Sequence, residues 1–173
     1  MKRLFISSVL LLILTAASAI AAENDHSYYV QGPMESGPEA TAQCLKCHEK
    51  HAADFMKTTH WNWASEQEVD GRKVVRGKKT AINNFCTSIA GNEPRCTSCH
   101  AGYGWTDASF DFSNAGNVDC LVCHDTTGTY IKEPTGAGNP SKRVDLVYVA
   151  QNVGKPSRFN CGTCHFYGGG GDA

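Results

Sequence analysis

The sequence predicts a mainly α-helical chain with long irregular loops, in which protein side chains alone supply too little of the core. Three observations lead there. Seventeen glycines and six prolines among 173 residues imply a loop-rich chain, and a loop-rich chain of this size buries a thin core. Breaker-free stretches with helical spacing alternate with those loops. Nine cysteines, eight of them paired as C-x-x-C, promise covalent or metal-bound staples where packing is thin.

The first 22 residues stand apart. Lys2 and Arg3 precede an apolar run, Leu4 to Leu14, and the small-residue run TAASAIAA offers cleavage sites between Ala19 and Ala22, the pattern of a secretory signal peptide. An uncleaved anchor is the competing reading, because Leu4 to Ala22 is just long enough to span a bilayer. The run of alanines favours cleavage. Residues 23–173 then form the exported region, expected to be soluble and without stable membrane insertion, since no second apolar run of that length occurs. A net charge of −1 gives no electrostatic basis for binding nucleic acid.

Along that region, Glu23 to Gln43 reads as an extended, turn-rich arm punctuated by Gly32-Pro33 and Gly37-Pro38. Glu39 to about Trp63 has few breakers and reads as helix. Glu66 to Arg76 is polar, and its Asp70-Gly71 pair signals a hairpin turn. Lys79 to Ala90 reads as a short helix ending at Gly91-Asn92, which would hold Asn83, Asn84 and Cys86 within about one turn. AGYGWTDASFDF, residues 101–112, reads as irregular. Ser141 to Val153 is the clearest amphipathic helix, stopped by Gly154 and Pro156.

The paired cysteines form four units: Cys44-Leu-Lys-Cys47-His48, Cys96-Thr-Ser-Cys99-His100, Cys120-Leu-Val-Cys123-His124 and Cys161-Gly-Thr-Cys164-His165. C-x-x-C-H is the attachment signature of c-type haem. Two thiols bond to the two porphyrin vinyl groups, and the adjacent histidine supplies a nitrogen to iron. Zinc sites, redox-active dithiols and plain disulfides also use C-x-x-C, but none requires the histidine. With seven histidines in 173 residues, chance placement after all four pairs is on the order of a few in a million. Four covalent haems follow, and they answer the core problem. Protein this thin around four flat, mostly apolar cofactors brings neighbouring rings close enough to pass electrons. The fold expected is a multihaem cytochrome c built around closely packed haems.

Haem iron takes a second axial ligand. With His48, His100, His124 and His165 as proximal ligands, His26, His51 and His60 remain as candidate distal ligands. His60 lies in a predicted helix beside two tryptophans, His51 three residues after His48, and His26 near the start of the exported region. One haem then has no distal histidine in this chain. Met34, Met56 or a deprotonated lysine remain as ligands, or the position is open to substrate.

The ordered strings QGP-x₃-GPE, QCLKCH, DFMKTTHW, VVRGKK, INNFC, NEPRCTSCHAGYGW, VDCLVCHDTTGTY, AQNVG and NCGTCHFYGGGGDA resemble the octahaem c-type cytochromes of the tetrathionate reductase type. The resemblance covers essentially the whole exported region. It implies a periplasmic protein with eight haems, associated with the reduction of tetrathionate, nitrite or hydroxylamine. This chain carries four units, so it corresponds to the N-terminal half, and FYGGGGDA marks where such a chain would continue. A true four-haem paralogue is the alternative. The resemblance also implies that the second haem, at Cys96, Cys99 and His100, is catalytic. Its iron would carry a lysine from beyond residue 173, leaving Lys78, Lys79, Lys132 and Lys155 as solvated charges. It places the unpaired Cys86, in INNFC, beside that haem.

Two functions stay open on the sequence. One is a reductase of small inorganic anions or hydroxylamine, fed by redox partner proteins, with Cys86 as the catalytic thiol. The other is a tetrahaem electron carrier in which Cys86 is an inert thiol.

Overall fold

The computed structural model describes residues 25–81 and 89–166. After a turn at residues 27–29, the chain enters helix α1, Gly37–Phe55. Ser36 caps it by accepting from the Glu39 amide, and Pro38 sits in its first turn, where a missing N–H costs nothing. The helix thus begins two residues earlier than the pattern from Glu39 predicts. It is interrupted at His48, whose φ/ψ of −114°/24° are non-helical. A one-turn helix α2, Thr59–Asn62, follows and stops at Trp63 in the left-handed region. The single long helix expected from Glu39 to Trp63 is therefore two helices.

Strands β1, Ser65–Val69, and β2, Arg72–Arg76, form an antiparallel hairpin with Val69 opposite Arg72. Asp70 and Gly71 both have positive φ, 51° and 72°, which two-residue hairpins need to match strand twist. A 3₁₀ turn at Lys78–Thr80 follows. The predicted helix over Lys79 to Ala90 falls largely on residues 82–88, outside the described residues.

The remaining elements are short: α3, Glu93–Cys96; 3₁₀ turns at Thr97–Cys99 and Ala115–Asn117; α4, Leu121–His124; α5, Leu146–Gln151; and α6, Arg158–His165. The amphipathic segment from Ser141 forms helix only from Leu146. Asp145 turns its carboxylate onto the Tyr148 amide and so starts the helix later than periodicity suggests. Residues 101–112 are bends and turns, as read from sequence. Asp107 and Asp111 each accept from a serine amide and hydroxyl two residues on, which gives the backbone an alternative to helix.

Two hydrophobic clusters hold these pieces. One joins Val30, Ala40, Leu121, Tyr130, Leu146, Val149 and Ala150, with Met34 packed against it. It fastens α1, α4 and α5 together. The other joins Trp63, Ile89 and Trp105 with Phe110 and Phe112. Both are small for the chain length. Gly138, with φ of 84°, brings its Cα so close to the Gly102 carbonyl that a Cβ would lie 2.0 Å from that oxygen. Among the described residues, no helix is long and apolar enough to cross a membrane.

Candidate functional site

The four C-x-x-C-H units sit on four different helical pieces. Cys44, Cys47 and His48 lie on α1, where the break at His48 turns the chain beside the histidine. Cys96 ends α3, Cys99 ends the next 3₁₀ turn, and His100 is extended. Cys120 leads into α4, which ends at His124. Cys161, Cys164 and His165 lie on α6, whose start is fixed by a reciprocal Ser157–Asn160 capping box. None of these eight cysteines forms a disulfide. Among the described residues, no group of three or more His, Cys, Asp or Glu is arranged to hold a metal ion, so a four-sulfur zinc site is not assembled there.

The third unit fits an iron ligand well. The His124 Nδ1–H donates to the Gly154 carbonyl at 2.7 Å, and the Gly154 amide donates to the His124 carbonyl at 2.8 Å. That pair fixes the tautomer with its lone pair on Nε2, the nitrogen that haem iron takes. Gly154, read from sequence as a helix stop, is thus also what orients this imidazole.

Two histidine pairs carry a second sign. His26 and His48 have ring centres 6.4 Å apart, and His60 and His165 are 6.2 Å apart. Imidazoles on opposite sides of one metal, each with a bond on the order of 2 Å, have ring centres roughly 6 Å apart. His51 stands 5.3 Å from His48, edge to face. It is too close to His48 to sit on the opposite side of the same iron.

The second unit is different. His100 is fully buried in a cage of Trp61, Trp63, Trp105, Phe110 and Phe112, with ring centres 5.0 to 6.1 Å away. Its Nε2–H donates to the Trp61 carbonyl at 2.7 Å, and Nδ1 has no partner among the described residues. Burial pushes its pKa down to about 4, against the raising effect of the Trp61 hydrogen bond. The donor set for haem is complete here, but ligation through Nε2 requires the ring to leave the Trp61 carbonyl. Lys78 and Lys79 lie over Trp63 and Phe112, 4.3 and 3.9 Å from the ring centres, so these cations cover the cage. The indole of Trp61 donates to the Phe112 carbonyl at 2.8 Å and ties two of its walls together.

Thiols from different units meet. Cys44 and Cys120 share a hydrogen bond that lowers the first thiol and raises the second. Cys99 and Cys164 share another, which raises Cys99 and lowers Cys164, and the Cys164 thiol also points at the Cys99 carbonyl. Burial raises Cys123 to about 11, with the Cys164 and Cys161 thiols adding to the rise. The first unit therefore abuts the third, the second abuts the fourth, and the third lies near the fourth.

One sequence reading is corrected outright. Lys132 is no solvated charge: its side chain is 9% exposed and pairs with the fully buried Asp119 carboxylate at 2.9 Å. Asp119, its partner, has no signal in the sequence beyond its position directly before Cys120. Lys155 is exposed. Cys86, Asn83 and Asn84 lie outside the described residues, as do the segment 1–24 and the glycine run.

Comparison with known proteins agrees with this geometry. The model of the cytochrome c554 and c-prime family matches residues 43–125. The crystal structure of an octahaem cytochrome c from Shewanella oneidensis is 61% identical over 84% of this chain, with a TM-score of 0.81. This chain is a multihaem c-type cytochrome. Its four units carry covalently bound c-type haems. It spans 33% of the Shewanella protein's length. An uncharacterised protein of Archaeoglobus fulgidus is 23% identical over 195 residues, which cover 85% of this cytochrome and 66% of that protein. The fold class expected from sequence, mainly α and built on several haems, is that of the Shewanella structure.

Proposed function

We propose that this cytochrome is the N-terminal, haem-bearing part of a periplasmic octahaem reductase of small sulfur or nitrogen oxyspecies. One observation carries the reading: 61% identity over 84% of the chain to an octahaem cytochrome c. Electrons delivered by redox partner proteins pass between units whose cysteines touch, Cys44 with Cys120 and Cys99 with Cys164. His26 serves the iron held by His48, and His60 the iron held by His165, on the spacing of those rings. His51 is left for the third unit, which abuts its helix. The second unit then has no distal histidine in this chain, which suits a site of chemistry.

Cys86 is the proposed catalytic thiol. As a thiolate it attacks the central sulfur–sulfur bond of tetrathionate, releasing one thiosulfate and leaving the other half bonded to Cys86 through sulfur. Two electrons then cleave that bond, release the second thiosulfate and restore the thiolate. Nitrite or hydroxylamine would instead need an open coordination position. The alternative is a carrier without substrate chemistry, and the closed aromatic cage about His100 favours it.

The test is Cys86→Ser in the full-length protein, assayed with a reduced viologen as donor. We expect tetrathionate turnover to fall at least tenfold with haem content unchanged. Unchanged turnover would return Cys86 to a structural role.

A further inference from the structure

Burying an ion pair is costly, and apolar replacements are often as stable. The pair between Asp119 and Lys132 is fully buried at its acidic end all the same. Asp119 Oδ1 accepts from the Tyr103 hydroxyl at 2.9 Å and the Val122 amide at 3.0 Å. Its Oδ2 accepts from the Tyr130 hydroxyl at 2.9 Å and from Lys132 Nζ at 2.9 Å. Four donors therefore converge on this one buried carboxylate.

The pair has a direction. Lys132 Nζ also donates to the His100 carbonyl, and Lys132 lines the cleft where Cys99 and Cys164 meet. Its charge therefore faces the junction of the second and fourth units. Asp119 directly precedes Cys120, which meets Cys44, so the negative end faces the junction of the first and third units.

We propose that the Asp119–Lys132 pair is a built-in electrostatic bias, which sets the haems of the second and fourth units at higher reduction potential than those of the first and third. Reduction adds one electron to a haem. A nearby cation stabilises the reduced form and raises the potential, and a nearby anion does the opposite. Electrons entering at the first or third haem then run downhill toward the second. In a low-dielectric interior that bias is weakly screened by salt. The inference rests on electron transfer among four haems and holds whether the protein is a reductase or a carrier.

The test is a redox titration of the haem-loaded, full-length protein, followed by nuclear magnetic resonance of haem methyl groups assigned to their units. Lys132→Gln should lower the midpoints of the second and fourth haems more than those of the first and third. Asp119→Asn should raise chiefly the first and third, and Lys132→Arg should keep the native order. A merely structural role would reduce stability or haem loading without shifting one set of midpoints more than the other. If either single variant fails to load four haems, the Lys132→Met/Asp119→Asn double variant leaves no unpaired buried charge and should narrow the gap from both sides. Tyr130→Phe removes only one hydroxyl donor from Asp119 and should lower the first and third midpoints. Midpoints that stay put, or that all move together, overturn the proposal.

Discussion

At the scale of single residues, the axial histidines set the spin state of each iron. Removing His60 as His60→Ala should convert one iron of the set from low-spin six-coordinate to high-spin. His26→Ala should do the same to a different iron, because the two face His165 and His48 separately. Electron paramagnetic resonance of each oxidised variant checks this, and a fully low-spin spectrum in either would refute that pairing. The histidines were legible in the sequence as candidates. Their pairing was not, because which imidazoles oppose one another is set by how α1, α2 and α6 pack. Lys132 shows the same limit. A lysine in a turn-rich segment reads as solvated, and only the closure of Tyr103, Tyr130 and Asp119 around it makes it a buried partner.

At the scale of elements, short helices carry haem attachment, so their ends matter more than their lengths. Ser157→Ala removes the capping box of α6 and should cost about 1 kcal/mol of stability in chemical denaturation. Haem content should be unchanged, since the attachment bonds are covalent. The hairpin was readable to the residue, since Asp70-Gly71 demands a turn that pairs Val69 with Arg72. The long helix was readable in place but not in continuity. Its break at His48 and the stop at Trp63 with φ of 52° have no sequence signal of the Gly or Pro kind. Helix α5 came out shorter than its apolar periodicity because Asp145 captures the Tyr148 amide.

At the scale of the whole molecule, two small clusters hold the described residues, which beyond α1, α5, α6 and the hairpin are loops and single turns. Leu121 is 1% exposed at the centre of the cluster joining α1, α4 and α5. Leu121→Ala should cost about 2–5 kcal/mol, read as a fall in the denaturation midpoint of the haem-loaded protein. A smaller loss would mean that haem contacts rather than this cluster carry the local packing. The sequence by itself determined the cofactor, its number of attachment sites in this chain and the mainly α class. Covalent attachment needs two thiols and a histidine at fixed short spacing, and short spacing is a property of sequence. The tertiary structure alone decided which units abut, which histidines face each other and where a buried charge pair points. Those relations join residues far apart in the chain, and they exist only once the two clusters have brought α1, α4, α5 and α6 together.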